Sequence, residues 1–177
     1  LLFLTQISKT KFMHLQYKNF TIRNWPTGDR PLAAEVIRQV LIEYGLPWQP
    51  DLADQDVLNI ESYYLQTGGV FWVVTENDKI VGTAGYYPID RQIEPGDSSV
   101  EIRKMYLLPA ARGQGLGKFL LTALEKHIMT AGFHTIWIET ASVLKEAVIL
   151  YEKNGYQPTS GVETARCDRI YVKKLNN

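Results

Sequence analysis

The chain has 177 residues, 45% apolar and 21% charged, an ordinary globular balance that suits one domain with a sizeable core. Its 19 basic side chains balance 19 acidic ones, which disfavours a nucleic-acid partner held through phosphates. A single cysteine, Cys167, forms no internal disulfide, which fits a reducing, cytoplasmic setting; no run of about 18 apolar residues marks a membrane span. His14, His127 and His134 are too scattered to build a metal site, so no metal is expected.

Leu1 to Phe12 lacks the charged n-region and small-residue cleavage site of a signal peptide, and Met13 is a candidate natural start. Residues 1–17 therefore read as an N-terminal extension and 18–177 as the domain. Phe20 to Trp25 alternates, with Phe20, Ile22 and Asn24 on one face, and predicts a first strand. Asp29 is placed to cap a helix whose first turn tolerates Pro31. Leu32, Val36, Val40 and Tyr44 give that helix its apolar stripe, and Gly45 stops it. After the rigid connector Pro47-Trp48-Gln49-Pro50, a second helix is predicted from about Asp51 to Gln66, with Val57, Ile60 and Tyr64 on one face.

Val70 to Thr75 and Ile80 to Tyr87 read as a hairpin turning at Asn77-Asp78. Gly82 and Gly85 within the return strand suggest close approach by another backbone or a ligand. Ile89 to Ser98 is a surface loop, and Val100 starts an apolar strand that ends at Pro109. A loop with Gly113, Gly115 and Gly117 leads into a helix with the stripe Leu116, Leu120, Leu124 and Ala131, stopped at Gly132. Thr135 to Thr140 is a short strand. Leu144, Ala147, Val148 and Tyr151 mark another helix, ended at Gly155, and Arg169 to Lys174 is a last strand. This order implies an α/β (α+β) fold with a mixed sheet, antiparallel early and parallel where helices cross over.

A glycine loop between a strand and a helix N-terminus is suited to an anion, because backbone N–H groups are free there and the helix dipole favours negative charge. Three alternating glycines exceed what a tight turn needs. Two phosphate patterns fail on named residues. Gly-x-Gly-x-x-Gly fails because Lys118 follows Gly115 by three and Leu120 follows Gly117 by three. The nucleoside-triphosphate loop fails because Arg112 replaces its first glycine and Phe119 its hydroxyl.

What remains, Arg112-x-x-Gly115-x-Gly117, resembles motif A of the GNAT superfamily of N-acetyltransferases. Ala147-x-x-Leu150-Tyr151-Glu152-Lys153-Asn154-Gly155-Tyr156 is similar to that family's motif B, and the resemblance covers roughly Asn19 to Leu175. One departure stands out: many members carry Asn three residues before the motif B alanine, where this chain has Leu144. The resemblance implies the acyl-CoA N-acyltransferase fold, a mainly antiparallel sheet with helices on both faces. It also implies an acetyl-CoA-dependent acyltransferase acting on an amine by direct attack in a ternary complex.

Residue by residue, the resemblance assigns the coenzyme to Arg112, Gly113, Gln114, Gly115, Leu116, Gly117 and Lys118, whose loop donates N–H groups to the pyrophosphate. It adds Met105, Tyr106 and Leu107, whose backbone pairs with the pantetheine arm and stabilises an oxyanion. Tyr151 is the candidate acid for the departing thiolate, since a phenol of pKa ~10 holds its proton at neutral pH. Glu101 is the candidate base, because an amine of pKa ~10 is mostly ammonium at that pH. Tyr86 or Tyr87 and Arg166 are candidates for the acceptor pocket, Arg166 because guanidinium suits a carboxylate. Cys167 is not expected as a nucleophile. The acceptor reads as a small-molecule or amino-acid amine; a protein or peptide amine, or a coenzyme-binding module without turnover, are the alternatives, and a homodimer is expected from the family.

Overall fold

The computed structural model describes residues 13–175; residues 1–12 of the expected extension lie outside them. The strands are β1 (His14–Tyr17), β2 (Phe20–Asn24), β3 (Val70–Glu76), β4 (Lys79–Ile89), β5 (Ser99–Leu107), β6 (Thr135–Thr140), β7 (Gln157–Thr159) and β8 (Arg169–Lys174). They form one sheet in the order β1-β2-β3-β4-β5-β6-β8-β7. Every neighbouring pair is antiparallel except β5 and β6, which the crossover helix α3 (Leu116–Thr130) joins in parallel. β1 lies within the stretch read as extension, yet it pairs with β2 from His14↔Arg23 to Tyr17↔Phe20.

The period of two decides which helix each strand residue meets. Trp72, Val74, Ala84 and Tyr86 join Val100 and Ile102 beneath α3 and Tyr151 of α4 (Lys145–Lys153). Phe71 and Val73 face the other way, against Val36, Ile37 and Leu41 of α1 (Arg30–Glu43) and Val57 of α2 (Gln55–Leu58). Helices thus cover both faces, each over its own apolar cluster. Every fully buried Leu, Ile or Phe in them contributes about 1.5–3 kcal/mol.

Local details depart from the sequence reading. Leu32 is exposed, and the buried stripe of α1 is Ala33, Val36, Ile37, Val40 and Leu41. Asp29 makes no side-chain cap; it pairs with Arg23 at 2.7 Å. In α3 Ile128 continues the buried stripe, while Ala131 lies past the helix end and is exposed. The predicted helix over 51–66 is broken into α2 and a π-helical turn, Glu61–Leu65. Asn59 interrupts it: its side chain donates to the Gln55 carbonyl at 3.0 Å, competing with the helix ladder. Val57, Ile60 and Tyr64 are nonetheless all buried.

The hairpin turns where expected, with Asn77 and Asp78 at φ 48° and 62°, the left-handed pair of a tight two-residue turn. Gly85 is a close approach: an added Cβ would lie 2.8 Å from the Val70 carbonyl oxygen.

Candidate active site

The site is made by a bulge in β5. Thr83 pairs with Tyr106 and Gly85 with Arg103, so β5 carries one residue more than β4 across this interval. Lys104 takes a left-handed φ of 53°, and the Thr83 hydroxyl donates to its carbonyl at 2.7 Å. The bulge interrupts side-chain alternation. Arg103 and Lys104, consecutive in sequence, both reach Asp56 at 3.3 Å.

The bulge coincides with a split in the sheet. β5 pairs with β6 only over Ser99–Glu101, although β5 continues to Leu107 and β6 to Thr140. Between the diverging strands lies a cavity of about 290 Å³. Met105, Tyr106 and Leu107 line one wall, Ile138 to Ala141 the other, and α4 contributes Ala147, Leu150 and Tyr151. The β5 edge facing this gap is without a strand partner from Ile102 onward, so an extended amide chain can pair with it.

The glycine loop sits at one end. Gly113 and Gly115 are left-handed, at φ 72° and 85°, and Gly115 is the N-cap of α3. Among the described residues, the backbone N–H groups of Gly113 to Lys118 have no hydrogen-bond partner. They are donors at the positive end of a 15-residue helix, an arrangement that fits a phosphate group. Gly113 and Gly117 line the cavity, as does Arg112, whereas the Leu116 side chain is in the core. The Gln114 side chain folds back onto the Ala110 carbonyl at 3.1 Å. The Arg112 guanidinium is occupied: both terminal nitrogens bind Glu43 of α1 at 2.7 Å, and Nε donates to the Leu107 carbonyl at 2.8 Å. Arg112 therefore ties the loop to the end of α1.

Glu101 and Tyr151, the two residues read as acid–base groups, are both on the cavity wall. Burial raises the Glu101 carboxyl above its ordinary pKa; Arg103, 3.3 Å away, opposes this and Glu139 reinforces it. Burial raises the Tyr151 phenol, helped by the nearby Tyr106 and Cys167. The Tyr106 phenol is pushed up to about 12, chiefly by burial, and the Cys167 thiol to about 11 by burial and Glu139. Cys167 is on the cavity wall.

The acceptor candidates fare differently. Tyr86 is not on the wall. Alternation along β4 turns it under α3, fully buried, where its hydroxyl meets His127 Nδ1 at 2.9 Å. Tyr87 points to the other face and packs on Tyr64 with ring centroids 5.2 Å apart. Arg166 does line the cavity, but its guanidinium grips Asp54 in two bonds of 2.6 and 2.7 Å. A carboxylate without solvent contact needs such a partner, and Asp54 also holds Lys104 Nζ at 2.6 Å. This network of Asp54, Asp56, Arg103, Lys104 and Arg166 was not read from the sequence. Its signal was there in Arg103-Lys104, two consecutive charges between the apolar Ile102 and Met105.

Comparisons with known proteins identify the family and the fold. Residues 34–156, more than half of the chain, match the family described as "Acetyltransferase (GNAT) family". An uncharacterised N-acetyltransferase of Escherichia coli, YjgM, is 38% identical over 139 residues, 77% of this chain and 81% of its own. A GNAT-family acetyltransferase of Staphylococcus aureus superposes with a TM-score of 0.79 at 23% identity, over 89% of this chain and 99% of that one. YncA, a putative acetyltransferase of Salmonella typhimurium solved with its cofactor acetyl-CoA, does so with a TM-score of 0.69 at 23% identity, over 89% and 95%. The chain is an acyltransferase that belongs to the acetyltransferase (GNAT) family.

Proposed function

We propose that this protein moves an acetyl group from acetyl-CoA to the primary amine of a small molecule or amino acid, with both substrates bound together. The observation that carries the reading is the placement of the free N–H groups of the glycine loop and the open edge of β5 around one cavity. Glu101 and Tyr151 both face it. The residues fit the coenzyme: Gly113 to Lys118 would hold the pyrophosphate, and Met105 to Leu107 the amide-bearing arm. When bound, acetyl-CoA supplies the activated acyl carbon.

The rest is done by this chain. Glu101, whose burial raises its proton affinity, accepts a proton from the acceptor ammonium and leaves a nucleophilic amine. A backbone N–H along the open β5 edge faces the negative charge that develops on the acyl oxygen. Tyr151 retains its proton through neutral pH and gives it to the leaving sulfur. The tyrosines and the Arg166–Asp54 pair at the cavity favour a small acceptor over a polypeptide, which needs an open groove.

The test is thiol release from acetyl-CoA across amines, amino acids and peptides. Amine-dependent release, fastest with a small amine, is the expected result. Coenzyme binding with no release from any acceptor would instead identify a binding module without turnover.

A further inference from the structure

The turn between β1 and β2 grips one atom of the glycine loop from two side chains. The Tyr17 hydroxyl donates to the Gln114 carbonyl oxygen at 2.9 Å, and Lys18 Nζ donates to the same oxygen at 2.6 Å. The Tyr17 ring stacks on Phe119 in the first turn of α3, centroids 4.6 Å apart. The packing is close enough that a Cβ on Gly115 would come within 2.5 Å of the Tyr17 hydroxyl.

The consequence follows from peptide geometry. In a planar trans peptide the C=O and the following N–H point in opposite directions. Holding the Gln114 carbonyl against the hairpin therefore aims the Gly115 N–H away from it. An ammonium on the carbonyl also polarises the peptide unit and strengthens its N–H as a donor. The same contact brings a positive charge to the outside of a loop whose other assets are N–H dipoles.

We propose that Tyr17 and Lys18 are positioning residues for the phosphate-binding loop, orienting and polarising the Gln114–Gly115 peptide as a donor to the pyrophosphate of the coenzyme. The inference rests on the coenzyme reading given above. It makes β1, at the far edge of the sheet, part of the binding site.

The experiment uses the full chain with Tyr17→Phe, Lys18→Met, the double variant and Lys18→Arg. Coenzyme A binding is measured by calorimetry, and thiol release is followed over a range of acetyl-CoA. Lys18→Met is expected to weaken coenzyme A binding about tenfold, the size of one charge-assisted hydrogen bond. The double variant should lose more. KM for acetyl-CoA should rise in step, kcat at saturation should stay within about twofold, and Lys18→Arg should recover most of the affinity. Coenzyme A binding by the double variant within about twofold of the unaltered protein overturns the proposal. So does a loss that falls equally on kcat and on the melting temperature without ligand, and that Lys18→Arg does not recover. Failure of the unaltered protein to bind coenzyme A overturns the coenzyme reading itself.

Discussion

Lys104 on the bulge of β5 reaches Asp54 in the connection after α1, Nζ to Oδ1 2.6 Å, with side chains 2% and 0% exposed. Arg166, from the connection between β7 and β8, closes on the same carboxylate. One buried carboxylate thus joins three segments distant in sequence, directly beside the cavity. The same contacts hold the left-handed backbone at Lys104, just past the last β5–β6 pair at Glu101.

Asp54→Asn leaves two buried cations short of their partner and is expected to cost about 3–5 kcal/mol, measured by urea denaturation. Burial alone would raise the Asp54 carboxyl, but Arg166 and Lys104 outweigh it and hold its pKa below the ordinary range. A carboxylate depressed in the folded state stabilises above its unfolded pKa of about 3.9, and that contribution disappears as pH falls through the folded value. The variant should therefore lose less stability than the unaltered protein on acidification below about pH 4.

Glu101 has the opposite sign. Its folded pKa is raised, so its favourable contribution is present at low pH and is lost as pH rises through the folded value. Glu101→Gln should lower kcat by about 100-fold or more and abolish the acidic limb of the kcat/KM profile, without lowering the melting temperature at pH 7. In the unaltered protein that limb should lie above the ordinary glutamate value of about 4.3.

Tyr151→Phe keeps the ring packed against Tyr156 and Tyr171 and removes only the proton donor. Thiol-release kinetics should show kcat reduced at least about tenfold, with coenzyme affinity within about twofold. Unchanged turnover would remove Tyr151 from the mechanism.

Arg112 gives its guanidinium to Glu43 and Leu107, so its effect on the coenzyme should pass through loop position. Glu43→Ala and Arg112→Ala are expected to weaken coenzyme A binding by similar factors, about three- to tenfold by calorimetry. A large effect of Arg112→Ala with none from Glu43→Ala would assign Arg112 to direct phosphate contact.

Gly113 and Gly115 separate backbone strain from collision. Both are left-handed, which costs a side chain about 1–2 kcal/mol. An added Cβ at Gly113 meets open space, whereas at Gly115 it meets the Tyr17 hydroxyl. In urea denaturation Gly115→Ala should destabilise more than Gly113→Ala, and the difference should shrink in a Tyr17→Phe background.

Much of this was legible locally. The hairpin was readable because Asn-Asp tolerates the left-handed turn that short loops require. The glycine loop was readable because strand, alternating glycines and helix start are adjacent in the chain. Helix interruption at Asn59 was less visible, since the apolar period of Val57, Ile60 and Tyr64 runs unbroken across it. Tyr86 was misplaced for a different reason: the sequence puts it beside Tyr87, and only the pairing of β4 decides which tyrosine turns under α3.

By itself, then, the sequence determined the glycine loop at the start of α3, the helix that carries Tyr151, and the alternation that builds two apolar faces, because each is set by contacts between residues near in the chain. The tertiary structure alone decided the bulge at Lys104, the split between β5 and β6, the engagement of Arg112 and Arg166 by carboxylates, and the clasp of Tyr17 and Lys18 on Gln114. Those depend on partners some 50 to 112 positions away, whose attraction is felt only once folding has brought them together and excluded water.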